Sequence, residues 1–207
     1  MNYKNFFKRG AALLLLCLAA LATACGSNAA SNVMRAIESP GPLHTEIQAG
    51  EDDAGTPGAN TKLGTFKTEF SKDATNRNIN IQKAAESLNG VVVPAGGTFS
   101  FNESVGPANA ASGYKKAQIF VNGRKSKGFG GGICQVSSTL YNAALDAGVE
   151  IVERHPHSLP VDYVPEGKDA ATSYGSSDFK FKNTHARSIK IETKTTETSV
   201  ETTLYSV

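Results

Sequence analysis

The stretch Gly128-Phe129-Gly130-Gly131-Gly132-Ile133-Cys134-Gln135-Val136-Ser137-Ser138 constrains this chain more than any other. A glycine run ahead of a helix lets the backbone pack tightly and leaves several N–H groups bare. The helix is expected from about Gln135 to Ala147, with Val136, Leu140, Ala143, Ala144 and Ala147 facing inward and Gly148 ending it. Cys134 then falls in the first turn, where the helix dipole and unpaired amides favour the thiolate over the thiol. Amides around Gly131, Gly132 and Cys134 are candidates to hold the oxyanion of a tetrahedral intermediate. The plainer alternative is a small buried cysteine packed beside Ile133 and Val136. A phosphate-binding loop is excluded, because the run lacks the Gly-Lys-Ser/Thr ending.

The compartment matters next, because it decides what a lone cysteine can be. Lys4, Lys8 and Arg9 precede an apolar run from Ala11 to Ala22, and Ala22-Thr23-Ala24-Cys25 follows. That order reads as a bacterial lipoprotein signal over residues 1–25, with Cys25 as the lipidation site. The apolar run is short of the roughly 20 residues a membrane-spanning helix needs. A plain signal peptide cut after Ala24 is the alternative, since a lipobox more often carries Leu where Ala22 stands. Lipidation places the protein outside the cytoplasm, anchored through Cys25 to the outer face of the cell membrane. Cys17 then leaves with the signal and Cys25 carries lipid, so Cys134 has no partner for a disulfide. The formal charge of +2 also changes: without Lys4, Lys8 and Arg9 there are 18 basic and 19 acidic residues. No basic excess remains, which argues against nucleic acid as a partner.

Residues 26–62 are rich in Ser, Asn, Ala, Gly and Pro, with Gly41-Pro42 and Pro57-Gly58 as breakers, and read as a flexible tether. Its r.m.s. reach is about 30–35 Å. The folded domain is expected over residues 63–207. Leu63 to Phe70 alternates as a strand does, and Asn80 is placed to cap a helix on which Ile81, Ala84, Ala85 and Leu88 share a face. Short strands are expected at Val91–Val93, Thr98–Phe101 and Ile119–Val121, the last leading into an Asn122-Gly123 hairpin turn. Further strands are expected at Val149–Val152, Leu159–Val164, Phe179–Phe181, Ile189–Ile191 and Val200–Leu204. Two main helices and a strand-rich second half imply a single α+β domain built on an antiparallel sheet. Lys180 and Lys182, alternating with Phe179 and Phe181, need only a solvated strand face.

A cysteine nucleophile needs a base, and His155-Pro156-His157 is the nearest source. Pro156 forbids a helix, so the segment is extended and the two imidazoles are expected on one side. Asp169 or Asp178 would orient the imidazole. Two partly exposed loop histidines are the alternative. A zinc site from Cys134, His155 and His157 lacks the usual ligand spacings, and no metal or other cofactor is expected. His44 falls in the tether and His185 in a polar turn, and neither carries a functional argument.

The residues Arg77-Asn78-Ile79, Pro94 to Asn102 and Gly113-Tyr114 resemble the VanW family of bacterial envelope proteins. The resemblance continues through Gly130 to Ala143, Glu153-Arg154-His155-Pro156-His157-Ser158, Gly167 to Ala170 and Asp178 to Asn183. The family takes its name from an accessory gene of glycopeptide-resistance clusters. Some larger relatives are implicated in L,D-transpeptidation of peptidoglycan, with the cysteine of the Gly-Gly-Gly-x-Cys-Gln motif as nucleophile. Carried over, the resemblance makes Cys134 the nucleophile and places the Arg-His-x-His pair at Arg154, His155 and His157, with either imidazole as base. Together with the residue reading, the site is then Cys134, His157, His155 and Asp169, with Gly131, Gly132, Gln135 and Arg154 around the substrate or oxyanion. The Ser/Thr-His-Gly-Cys motif of the commoner L,D-transpeptidases is absent, so such an activity would rest on a different fold.

The expected function is therefore a membrane-tethered cysteine acyltransferase acting on peptidoglycan stem peptides through a thioester on Cys134. An amine acceptor makes it an L,D-transpeptidase and water makes it a carboxypeptidase. The rival is a non-catalytic wall-binding or accessory module linked to glycopeptide resistance, with Cys134 structural. A redox role lacks a resolving cysteine.

Overall fold

The computed structural model of the protein describes residues 60–207 apart from Asn122. The signal segment, Cys25, His44 and nearly all of the tether lie outside the described residues. Among the described residues no helix is long and apolar enough to cross a membrane.

The described fold is α+β, with every strand among the described residues pairing antiparallel. Strand β1 (Thr61–Glu69) leads into helix α1 (Thr75–Leu88). Strands β2 (Val92–Val93) and β3 (Thr98–Ser100) follow, then the short helix α2 (Phe101–Val105). A hairpin of β4 (Lys116–Val121) and β5 (Arg124–Phe129) runs directly into helix α3 (Ile133–Asp146). Four more strands complete the chain: β6 (Glu150–Glu153), β7 (Lys180–Lys182), β8 (Ile189–Thr195) and β9 (Ser199–Ser206). They form not one sheet but three: β1-β9-β8-β2, β3-β7-β6 and the β4-β5 hairpin.

Both long helices bury an apolar face against the four-stranded sheet. Ile81, Ala84, Ala85 and Leu88 of α1 join Val136, Leu140, Ala143 and Ala144 of α3 and Ile189, Ile191, Val200 and Leu204 of the sheet in one core. The second sheet adds Phe99 and Phe181, stacked with ring centroids 5.0 Å apart. Helix α3 lies so close to β1 that a side chain at Gly64 would meet the Ala143 carbonyl oxygen at 2.5 Å. The register of β1 against β9 shifts at that glycine.

Three expectations change. Asn80 caps nothing: α1 begins at Thr75 and Asn80 lies fully buried inside it. The first turn of α1 is polar on most sides, so apolar periodicity does not reveal it. Residues 159–164 form no strand; Pro160 removes an amide, and the segment borders an open cleft instead of a partner strand. Phe101, expected in a strand, starts α2 because the Ser100 hydroxyl accepts the Glu103 amide at 3.2 Å.

Candidate active site

The glycine run is dictated by what surrounds it. A side chain at Gly131 would collide with the Gln118 carbonyl of β4. Gly132 has φ 113°, and a Cβ there would meet Ile81 at 2.9 Å and the Arg77 carbonyl oxygen at 3.0 Å. Asn80 fastens the turn to α1: its amide donates to Gly131 O at 3.0 Å and Lys115 O at 2.9 Å, and its oxygen accepts the Lys115 N–H at 2.8 Å. The turn is therefore wedged between α1 and β4, and Cys134 emerges as the second residue of α3. The Ile133 amide donates to Gly130 O and the Gln135 amide to Gly132 O, both at 3.0 Å. Among the described residues the Gly132 and Cys134 amides have no protein acceptor.

Helix α3 is buried on nearly all sides, so its polar residues must be satisfied from within. Thr139 exchanges a 2.8 Å hydrogen bond with Thr68 of β1. Ser137 donates to Ala170 O at 2.6 Å, Ser138 accepts the Ala170 N–H at 2.9 Å, and Asn142 donates to Lys168 O at 2.6 Å. These bonds lash residues 168–170 along the helix. That segment carries Asp169, and Thr172 just beyond it lies against Cys134 with its carbonyl oxygen 3.5 Å from Sγ.

Asp169 and Cys134 meet through His157. Asp169 Oδ2 accepts the His157 backbone N–H at 2.6 Å and pairs with Nδ1 at 2.6 Å. Nδ1 being occupied, Nε2 is the ring nitrogen left to serve the Cys134 thiol, which lies near enough for the two groups to shift each other's titration. Arg154 holds the other side of the carboxylate, donating from Nε to Asp169 O at 2.6 Å and from Nη2 to Oδ1 at 2.5 Å. Burial alone pushes the Cys134 thiol up, but hydrogen bonds with His157 and Thr172 and the nearby imidazolium bring it below the ordinary thiol value. Burial pulls His157 down, and the hydrogen bonds and charges of Cys134 and Asp169 raise it above its ordinary value. Burial raises the Asp169 carboxyl, and the His157 hydrogen bonds with the Arg154 charge hold it below the usual carboxylate range. All three shifts favour a thiolate–imidazolium pair backed by a carboxylate.

The two histidines part company. His157 is 9% exposed, whereas His155 is 43% exposed and pairs through Nε2 with Glu153 at 2.9 Å. They do not face one group, so His155 is not a second candidate base. Asp178 is engaged elsewhere, with Ser100, Asn102 and Phe179 as donors, leaving Asp169 as the orienting acid. His185 bonds the Ala147 carbonyl at the far end of α3. Among the described residues no trio of His, Cys, Asp and Glu is arranged to hold a metal ion.

Gln135 sits beside the cysteine but is 1% exposed and tied within the fold. It donates to Thr68 Oγ1 at 2.9 Å and Glu69 O at 2.8 Å, and accepts from Arg77 Nη2 at 2.6 Å. Its geometry fits a positioning role better than substrate contact, and the same holds for Arg154. Two neighbours were not singled out from the sequence. Arg77 reaches the site from the first turn of α1, and Tyr163 from the 159–164 segment, its ring 6.5 Å from that of His157 and 6.0 Å from the Arg77 guanidinium. Arg77 stands in the family resemblance without a chemical argument from sequence, and Tyr163 falls in the stretch whose pattern predicts a strand. Burial and the Cys134 charge raise the Tyr163 hydroxyl well above its ordinary value, so it stays protonated as a donor.

Cys134, His157, Arg77 and Tyr163 line an open cleft of about 2030 Å³ that the β4-β5 hairpin also borders. Small-molecule pockets usually enclose about 300–1,000 Å³. The cleft is larger than that range and open to solvent.

A family model described as VanW like protein matches residues 76–205. The chain is 46% identical over 145 residues to YoaR of Bacillus subtilis (strain 168), an uncharacterized protein, covering 70% of this chain and 48% of that one. It is 34% identical over 113 residues to the vancomycin B-type resistance protein VanW of Enterococcus faecalis (strain ATCC 700802 / V583), covering 52% of this chain and 41% of that one. The chain thus spans about half the length or less of these curated relatives. No solved structure matches it. The matched residues include Arg77, the glycine turn, Cys134, His157 and Asp169, and the chain belongs to the family of VanW-like proteins.

Proposed function

We propose that the protein is a cysteine acyltransferase acting on peptidoglycan stem peptides. The observation that carries this reading is the His157–Asp169 pair near Cys134 at the head of a helix, where thiol and imidazole shift each other's titration, opening on a large cleft. Cys134 Sγ attacks the carbonyl before the terminal residue of the stem, and the electrons of the carbonyl pass to its oxygen. The amides of Gly132 and Cys134 receive that oxyanion. The C–N bond then breaks, His157 gives its proton to the departing amine, and a thioester remains on Cys134. An amine from a neighbouring stem, or water, attacks the thioester; His157 takes its proton and the thiolate leaves. Asp169 and Arg154 are positioning residues, fixing the imidazole and its tautomer.

The protein works at the outer face of the cell membrane, held by acyl chains on Cys25 and a tether over residues 26–62. Labelled palmitate incorporated by the full chain and lost in Cys25→Ala is the expected sign of that anchor.

The test of the chemistry is turnover of disaccharide-tetrapeptides with mass spectrometry of the enzyme. A thioester on Cys134, with turnover lost in Cys134→Ala, is expected. Turnover that survives Cys134→Ala overturns the mechanism.

A second reading is favoured by one observation: a relative at 34% identity is named for vancomycin B-type resistance. On that reading the chain is a non-catalytic accessory module that binds the wall. It requires a Cys134 inert to thiol reagents in the native fold and full wall binding by Cys134→Ser.

A further inference from the structure

Arg77 is a cation at the site that the chemistry above leaves unused. It stands in the first turn of α1, and its only side-chain hydrogen bond among the described residues is from Nη2 to Gln135 Oε1. Among the described residues it enters no ion pair, although a guanidinium carries five donors in a planar fork. Asp162 and Cys134 are near enough for their charges to act on it, and burial nevertheless lowers its pKa. Glu69, Asp73 and Lys125 are the other charged side chains along the cleft.

The position of Arg77 is set rigidly. Gln135 is itself fixed by Thr68 and Glu69, the Tyr163 ring lies to one side, and the side-chain-free Gly132 lets α1 approach the head of α3. A half-buried charge without an ion pair is costly in a folded protein, and a guanidinium fork suits a carboxylate above other anions of peptide chemistry.

The geometry points to Arg77 as the receptor for the free C-terminal carboxylate of the substrate's leaving residue. The inference rests on Cys134 being the nucleophile, because the leaving residue's carboxylate lies three covalent bonds from the attacked carbonyl. It restricts the substrate to acyl peptides whose scissile bond is the last one. Stems capped at the C-terminus, and peptide bonds inside a chain, would be excluded because no carboxylate would reach the fork.

The first experiment compares alkylation of Cys134 by iodoacetate, which carries a carboxylate, with alkylation by neutral iodoacetamide. The ratio of the two rates cancels changes in thiol ionisation, so a merely structural effect of Arg77 does not move it. Arg77→Gln is expected to lower the ratio about tenfold, the loss of one charge-assisted contact. Arg77→Lys, which keeps the charge without the fork, is expected to fall between. A ratio unchanged in Arg77→Gln overturns the inference.

The second experiment needs no nucleophile. In Cys134→Ala, N-acetyl-D-alanine is expected to shift the Arg77 Nε–H resonance, and N-acetyl-D-alaninamide is not. No shift, or equal shifts with both, overturns the inference. A native Cys134 that neither reagent modifies defeats acyl transfer itself, and the resonance then decides the role of Arg77 alone.

Discussion

Asp169 binds His157 twice, accepting its backbone N–H and its Nδ1 at the same oxygen, each at 2.6 Å. One oxygen thereby fixes both where the histidine sits and which ring nitrogen faces the cysteine. Asp169→Asn keeps the volume but loses the charge that stabilises the imidazolium. Turnover is expected to fall on the order of 10²–10⁴-fold, the range of a well-placed proton-transfer group. Steady-state kinetics alongside circular dichroism will separate that loss from unfolding.

The coupled shifts of Cys134 and His157 set a pH profile. The thiol is lowered and the imidazole raised, so the thiolate–imidazolium pair forms on the acid side of the free-thiol value of about 8.5. Alkylation of Cys134 is expected to reach half its limiting rate below that pH and to lose the advantage on unfolding. Cys134→Ala removes the charge that raises His157, so the imidazole titration followed by NMR is expected to move down.

Asp169 also ties stability to pH. Its carboxyl is lowered in the folded state, so its contribution is complete above the unfolded value of about 3.9 and is lost as pH falls through the folded value. The stability difference between the wild type and Asp169→Asn is therefore expected to be largest near neutrality and to shrink below about pH 4. Denaturant titrations across that range will show it, and a difference that grows toward acid would contradict the pairing.

Gln135 joins α3 to β1 and α1 from a fully buried position. Gln135→Leu strands the Glu69 carbonyl and the Arg77 guanidinium without their partner. The expected cost is about 1–3 kcal/mol, the range for leaving a polar group unpaired, since both stranded groups are only part-buried. Urea denaturation reads it directly.

Gly132→Ala meets two penalties together, a left-handed backbone angle of 113° and a Cβ 2.9 Å from Ile81. A loss of about 2–4 kcal/mol is expected from strain and overpacking. Thermal unfolding is the check, with Gly148→Ala as a control for φ alone, because nothing lies within 4 Å of a Cβ there.

The residues that were legible from sequence alone were those whose role is local. The apolar stripe of α3 stood out because Val136, Leu140, Ala143 and Ala144 repeat with the helical period and are buried. The position of Cys134 followed from the glycines before it. Asn80 misled because an asparagine ahead of an apolar stripe looks like a cap, whereas its bonds run to Lys115 and Gly131, far along the chain. The pairing of His157 with Asp169, and not Asp178, is set by the serines and asparagine of α3 that hold residues 168–170. Nothing in the local spacing of either aspartate encodes that. Arg77 and Tyr163 are brought to Cys134 only by tertiary packing, and nothing in the local sequence around either one assigns it a chemical role.

The pairing of β1 with β9 sets Thr61 opposite Ser206, with Glu69 opposite Ser199 at the other end. The entry and exit of the described fold thus lie side by side at one end of the β1–β9 ladder. Such a domain can be spliced into a longer polypeptide as a cassette, since the host segments need not be forced apart to receive it. The same neighbourhood sets its mechanical weak point. Tension applied between the flanks loads the β1–β9 ladder one rung at a time from the Thr61–Ser206 end, so that strand pair is pulled in the unzipping direction.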